Sequence, residues 1–217
     1  MIPIIRIVGC SGSGKTTLIE KLIAELKSRG YKVATIKHSD AGFEMDYKGK
    51  DSWRYSQAGS DVSIVSARDK IGIIRKVESD LSPAELSRFL GLDFDIIITE
   101  GYKKDAGPKI EIYDKELSPE LASNSNDLMA IVTKENLQLT VPQYTLEDVE
   151  GLADLIEESL LKQEQNIVSL FVNGEPIALN GFVTTIFHNV LIGMVSSLKR
   201  IKKQELIDIH IKRISRE

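Results

Sequence analysis

The chain has 217 residues, 42% of them apolar and 28% charged, with 15 Gly and 6 Pro; at about 150 residues per domain this is one α/β-sized unit with a small appendage, and neither a disordered nor a fibrous chain. Lys and Arg number 28 against 32 Asp and Glu, a formal charge of −4, which offers no overall attraction to nucleic acid or to an anionic membrane. A single cysteine, Cys10, excludes an internal disulfide, the apolar run at residues 1–9 has no cleavage-site pattern, and no stretch approaches a bilayer span, so a reduced, cytoplasmic protein is expected.

Residues 4–8 are a β-branched run stopped by Gly9, which predicts a strand. In 17–29 the residues Leu18, Leu22, Ile23 and Leu26 fall at helical spacing, and Gly30 supplies a left-handed stop before the next strand at 32–36. A β-α-β unit of this kind builds an open parallel sheet whose ligands sit at the carboxyl ends of the strands. Residues 40–59 are polar and interrupted by Gly42, Gly49 and Gly59, predicting a long loop with a helical turn around 53–58. Strand-like runs follow at 62–65 and 72–75, then a helix at 82–90 opened by the capping box Ser82-Pro83-Ala84-Glu85. An intensely apolar strand at 95–99 ends in Glu100-Gly101, further strands are expected at 110–113 and 128–132, and an amphipathic helix at 145–161 closes the sheet.

The polar stretch 163–166 reads as a boundary between a nucleotide-binding domain, 1–165, and a second module, 166–217. In the second, runs at 167–172 and 175–178 flank Asn173-Gly174, a hairpin signal. A helix follows with Asn180 as N-cap and runs to 198; its stripe Phe182, Ile186, Val190, Met194 and Leu198 is expected to pack on the hairpin. Residues 206–214 alternate as a half-buried strand would, completing a ββαβ unit. Seven basic residues (Lys199, Arg200, Lys202, Lys203, Lys212, Arg213 and Arg216) give this end a local basic face, solvated by default.

Between the first strand and helix, Gly9-Cys10-Ser11-Gly12-Ser13-Gly14-Lys15-Thr16 matches G-x-x-x-x-G-K-[ST] at every fixed position and in the required strand–loop–helix context. A polyphosphate needs converging donors, and backbone N–H groups reach it only where side chains do not obstruct the turn. Gly9, Gly12 and Gly14 give that freedom, with Ser13 and Thr17 among the residues expected around the phosphates. Lys15 would neutralise the β/γ phosphates, Thr16 would offer its hydroxyl to Mg²⁺, and the helix N-terminus adds partial positive charge. The second metal anchor is expected from Glu100 at the end of its strand; Asp95 stands at the wrong end, while Asp40 and Asp46 could reach from their loop. Lys15 and Glu100 are thus the candidate catalytic residues. Thr133-Lys134-Glu135-Asn136 ends a strand like the guanine-reading [NT]-K-x-D, with Asn offering one acceptor where Asp offers two. The fold expected is a three-layer α/β/α P-loop NTPase with a mostly parallel sheet, plus the small C-terminal ββαβ (α+β) module.

These segments together resemble the MobB family of molybdopterin-guanine dinucleotide biosynthesis adaptors. The resemblance is carried by the phosphate loop, Ile36-Lys37-His38, Gly49-Lys50-Asp51-Ser52-Trp53-Arg54, Thr99-Glu100-Gly101-Tyr102-Lys103, Pro108-Lys109-Ile110-Glu111, and Thr145-Leu146-Glu147-Asp148-Val149-Glu150-Gly151-Leu152. It departs after Lys37-His38, where Ser39-Asp40-Ala41-Gly42 stands in place of the family's frequent second His or Asp-His. The resemblance spans roughly residues 2–162, so the C-terminal module is outside the minimal family domain. It implies a cytoplasmic, homodimeric GTP-binding protein with weak hydrolysis, partnered with the guanylyltransferase that joins GMP to molybdopterin.

Lys37, Lys50, Arg54, Lys103 and Lys109 are expected in loops at the carboxyl edge of the sheet, where they would bind an anionic, phosphorylated pterin or an acidic partner surface, or else are solvated charge. His38 is a proton carrier, a phosphate contact or a loop residue; His188 and His210 read as structural. Cys10 reads as a small loop filler, and Trp53 and Tyr55 as loop packing or a stacking surface for a flat ring. Hydrolysis should be slow, because no glutamine or arginine finger is identifiable. Two rivals stay open: an ATP-dependent small-molecule kinase with 40–59 as its acceptor site, and a partner-binding module whose nucleotide site is vestigial.

Overall fold

Five parallel pairings build the main sheet of the computed structural model, which describes residues 2–91, 93–123, 127–162, 168–198 and 206–211. In chain order the elements are β1 (Ile4–Gly9), α1 (Lys15–Ser28), β2 (Val33–Lys37), α2 (Asp51–Gln57), β3 (Val62–Ser66), β4 (Ile71–Arg75), α3 (Pro83–Ser87), β5 (Ile96–Glu100), β6 (Lys109–Ile112), β7 (Leu128–Val132), β8 (Gln143–Tyr144), α4 (Val149–Ile156), β9 (Leu170–Val172), β10 (Glu175–Ile177) and α5 (Gly181–Ser196). The sheet order is β2-β5-β1-β6-β7-β8, the expected α/β architecture.

Strand alternation sorts the side chains of this sheet onto two faces. Ile5 and Ile7 of β1, Ile96 and Ile98 of β5, Ile110 of β6 and Ala130 of β7 join Leu18, Leu22 and Leu26 of α1 and Leu152 and Ile156 of α4 in one buried cluster. Burying each of the Ile and Leu side chains among these stabilises by about 1.5–3 kcal/mol. At the end of α1, Arg29 donates to Glu25, Asp154 and Glu157, and the Tyr31 hydroxyl donates to Glu157, locking α1 to α4. The other face has a thinner cover, with Ile2, Ala34 and Ile97 packed against Leu90 and Phe94. Beside them Arg6, Thr99, Lys109 and Glu111 are buried polar residues.

Several expected elements change their limits for local reasons. The expected helix at 82–90 has its capping box, but only Pro83–Ser87 is α-helical. Ser87 Oγ bonds back to the Ala84 carbonyl, and Phe89 and Leu90 donate to Leu86 and Ser87, three residues back, so the turn tightens and ends. The closing helix starts at Val149 rather than 145 because Asp148 caps it, accepting from Gly151 N–H, while Thr145 Oγ1 accepts from Glu147 N–H. Its last turn, Glu157–Leu161, is π-helical. β3 and β4 pair only with each other, as an antiparallel hairpin outside the main sheet. The two-residue β8 is too short for periodicity to reveal.

In the C-terminal segment the hairpin forms around Asn173 and Gly174, both at positive φ (53° and 94°), the backbone a two-residue type I′ turn needs. Asn180 caps α5 by accepting from Val183 N–H. The stripe Phe182, Ile186, Val190, Met194 and Leu198 does not pack on the hairpin: all five are exposed, Phe182 at 75% and Met194 at 63%. The strands of the hairpin are only three residues long, and β10 lies against α3, with Arg88 beside Gly174. Residues 206–211 are not in a strand, correcting that part of the expected 206–214 strand, so the described part of the module is ββα. Residues 212–214, the boundary stretch 163–166 and all seven residues of the basic face lie outside the described residues.

Candidate functional site

β1 delivers the chain into the phosphate loop and α1 leaves it, so residues 9–16 stand at the carboxyl end of the central strand. Gly9 has φ 142°, and a Cβ there would meet the Ile112 carbonyl oxygen at 2.5 Å; the loop therefore requires glycine at its entrance. Gly14, at φ 96°, is the N-cap of α1, where no side chain competes for the first-turn N–H groups. Ser13 Oγ is buried without a partner. Lys15 Nζ donates to the carbonyls of Gly9 (3.1 Å) and Cys10 (2.7 Å), which holds its charge over the loop. Gly12, Thr16 and Thr17 are exposed around it.

Glu100, the last residue of β5, meets this loop. Its Oε2 accepts from Thr16 Oγ1 at 3.4 Å and lies 3.3 Å from Lys37 Nζ. The donor set fits a nucleotide polyphosphate: free helix-terminal N–H groups, an ammonium group and an unpartnered buried hydroxyl. The Thr16 hydroxyl and Glu100 carboxylate also fit Mg²⁺, which prefers hard oxygens and takes only one or two protein carboxylates beside phosphate and water. Among the described residues no group of three or more His, Cys, Asp or Glu could form an all-protein metal cage.

His38 lies on the same edge, its N–H donating to the Glu100 carbonyl. Its Nε2 is 2.7 Å from Asp80 Oδ2 and its ring is 4.7 Å from that of Tyr102. Tyr102, at φ 57°, has its hydroxyl pushed up to about 12 by burial and then by the charges of Asp80 and Asp105. The Asp80 partnership was not legible, since forty-two residues separate it from His38. Thr133 is buried at the end of β7 with Lys134 and Asn136 exposed beyond it, so this strand end shares the phosphate-loop edge.

Other expected residues stand apart from the loop. Asp46 accepts from Ser52 Oγ and Tyr47 N–H, and Asp40 lies 3.7 Å from His38; neither is brought to Thr16 or Glu100. Arg54 is exposed and pairs with Asp51 at 3.6 Å within α2. Lys50 and Tyr55 line a groove of about 590 Å³ with the β3–β4 hairpin, and Trp53 is half-buried. Lys109 is not a loop residue: it begins β6, is 2% exposed and donates to Asp127 at 3.0 Å. Lys103 is exposed and shares a cavity with Lys104 and Lys109. Cys10 is half-buried and free, His188 is half-buried beside Asn189, and His210 is exposed.

The model of the family described as Molybdopterin guanine dinucleotide synthesis protein B (MobB) matches residues 4–134. The molybdopterin-guanine dinucleotide biosynthesis adapter protein of Haemophilus influenzae is 34% identical over 160 residues, 73% of this chain and 90% of that one. A putative adapter protein of the same name from Methanocaldococcus jannaschii is 27% identical, with the match covering 96% of this chain and 97% of its own, the C-terminal segment included. The crystal structure of Bacillus subtilis MobB is 31% identical with a TM-score of 0.61, covering 75% of this chain and 100% of that one.

Proposed function

The chain belongs to the MobB family, and we propose that it binds GTP with Mg²⁺ at residues 9–16 while acting as an adaptor in molybdopterin-guanine dinucleotide biosynthesis. The adaptor role in that pathway is supported by the family match and the relatives. The nucleotide, the metal and the guanylyltransferase partner are the finer reading. The observation that carries it is the meeting of Thr16 with Glu100 across a glycine loop capped by Lys15.

In this reading the N–H groups at the start of α1 and Lys15 bind the phosphates, with Lys15 exchanging its hydrogen bonds to Gly9 and Cys10 for phosphate oxygens. Thr16 and Glu100 hold the cation, which when bound neutralises phosphate charge. Lys37, beside Glu100, keeps that carboxylate oriented, and His38 with Asp80 orders the edge next to it. The exposed ends of Lys134 and Asn136 are placed for the base. Hydrolysis is slow, and the bound nucleotide serves assembly rather than turnover. Arg54 and Lys103 face the anionic pterin or the partner. The protein works in the cytoplasm; among the described residues no helix is long and apolar enough to cross a membrane.

A homodimer is part of the proposal. Ile64, Val65, Ile71 and Ile73 on the β3–β4 hairpin are at least half exposed, an apolar surface that a second copy would cover. Residues 1–165 form the nucleotide-binding domain and 166–217 an appended module. The test is a titration of GTP and ATP with and without Mg²⁺, repeated with Lys15→Ala, alongside cofactor maturation in cells carrying that variant. GTP preferred over ATP, with both binding and maturation lost in Lys15→Ala, is expected. Preference for ATP removes the guanine reading, and maturation that survives Lys15→Ala makes the site vestigial.

A further inference from the structure

The face of the sheet turned away from α1 carries charge that the phosphate loop does not use. Residues 101–108 connect β5 to β6 and cross β1 on that face, because β1 lies between those strands. The crossing is close: a Cβ at Gly107 would stand 2.7 Å from Arg6 Nη1. Arg6 is only 7% exposed, and its Nε is buried without a hydrogen-bond partner. Its register neighbours are Thr99, whose Oγ1 is likewise buried and unpartnered, and Lys109. Lys109 forms the inner wall of a cavity of about 370 Å³ whose other lining residues are Lys103, Lys104 and Ala122.

Two of the three carboxylates near this cavity, Asp127 and Glu111, are engaged, while Asp105 forms no side-chain hydrogen bond or ion pair among the described residues. Asp127 accepts from Lys109 Nζ and Gly107 N–H, and those bonds hold its carboxyl below the usual range. Glu111, two residues along β6, accepts from the N–H groups of Ala122 and Ser123 and so fixes the loop that closes the far side. Asp105 and Asp127 partly offset the burial that lowers the Arg6 pKa, yet neither forms an ion pair with Arg6 within 4.0 Å. Among the described residues Arg6, Lys103 and Lys104 have no ion-pair partner. Arg6 does not line the cavity, so the unpaired charges that face it are those of Lys103 and Lys104.

We propose that the pocket between Lys103, Lys104 and Lys109, on the sheet face opposite α1, is a second anion site that takes the dianion of a phosphate monoester, separate from the phosphate loop at the carboxyl end of β1. Two free ammonium groups match the charge of a dianion, and the volume exceeds that of phosphate alone, leaving room for the esterified group. The shared chemistry is the phosphate monoester; its source, a pterin phosphate or a nucleoside monophosphate, rests on the adaptor reading above.

The test is calorimetric titration of the full chain with phenyl phosphate, with GTP and Mg²⁺ held saturating, and separately of the Lys15→Ala variant without nucleotide. Wild type and Lys15→Ala should bind the monoester alike. The double variant Lys103→Ala/Lys104→Ala changes two exposed side chains, so its circular dichroism should match wild type, and it should bind at least about tenfold more weakly for each charge-assisted hydrogen bond removed. Absence of binding in wild type, equal binding in the double variant, or loss in Lys15→Ala would overturn the proposal. The last outcome would assign the monoester to the phosphate loop, whereas failure of GTP to bind in the control titration leaves the second site intact and removes only the nucleotide reading. Repeating the titration with guanosine monophosphate and with 6-hydroxymethylpterin phosphate identifies the source by whichever gains affinity over phenyl phosphate; equal affinities support recognition of the phosphate alone.

Discussion

On the α1 side of the main sheet the buried strand positions are all Ile, Val or Ala, whereas on the other side the same central strands bury Arg6, Thr99, Lys109 and Glu111 among the apolar Val8, Ile97 and Ile131. Strand parity alone separates the two sets, since neighbouring residues of a strand point to opposite faces. The apolar face is sealed by two helices, α1 and α4. Over its central strands the polar face is closed by connecting segments instead, with 101–108 against Arg6 and 122–123 against Glu111. Helices bury aliphatic area and leave nothing for a ligand to recognise. Loops bring backbone donors and lysines over a charged floor, which suits binding rather than stability.

That contrast can be broken at either face. The largest effect is expected from Leu22→Ala, fully buried between α1 and the sheet, which should lower stability by about 2–5 kcal/mol in denaturant titration. A loss under about 1 kcal/mol would mean that α1 is not the main cover of this face. At the edge where the two faces meet, Glu100→Gln should weaken the Mg²⁺ dependence of nucleotide binding by about tenfold, the cost of one charge-assisted interaction. Nucleotide affinity measured without Mg²⁺ should change little. A variant that binds GTP–Mg²⁺ as wild type does would remove Glu100 from the proposed metal site.

Acid sharpens the comparison further. Asp127 on the polar face and Glu157 at the α1–α4 contact both have carboxyls held below their ordinary values, the first chiefly by Lys109, the second by Tyr31 and Arg29. A folded-state pKa below the unfolded one stabilises fully above about pH 4 and is lost as pH falls through the folded value. Asp127→Asn and Glu157→Gln should each flatten the acid limb of a thermal-denaturation profile, and an unchanged limb would contradict the pairings. The smallest effect is expected from Arg6→Met. Replacing a buried, unpartnered guanidinium with an apolar chain of similar length should leave stability within about 1 kcal/mol of wild type or raise it. A loss as large as that of Leu22→Ala would show that Arg6 is structural.

What the sequence made legible was local or periodic. The strand–glycine turn–helix at 9–16 is eight contiguous residues, the stop of α1 is one glycine, and the Asn173-Gly174 turn follows from two residues that tolerate positive φ. The Asn180 cap was readable for the same reason. The polar face was not, because Arg6, Thr99, Lys109 and Asp127 are far apart in the chain and meet only through parallel register. A lone Arg inside Ile-Ile-Arg-Ile-Val was its one visible trace. Helical spacing found the α5 stripe but cannot say what covers it, and the hairpin turned instead to α3. Asp40 and Asp46 were expected to reach a cation at Thr16 by loop length; Asp46 instead accepts from Tyr47 N–H and Ser52 Oγ, and Asp40 is exposed 3.7 Å from His38.

The most direct test is a crystal structure of the protein with a non-hydrolysable GTP analogue and Mg²⁺. The account predicts the polyphosphate within hydrogen-bond distance of the N–H groups at 12–16, Lys15 Nζ moved from the Gly9 and Cys10 carbonyls to phosphate oxygens, and the cation between Thr16 and Glu100. Lys15 still bonded to those two carbonyls, with the analogue bound elsewhere or not at all, would contradict it.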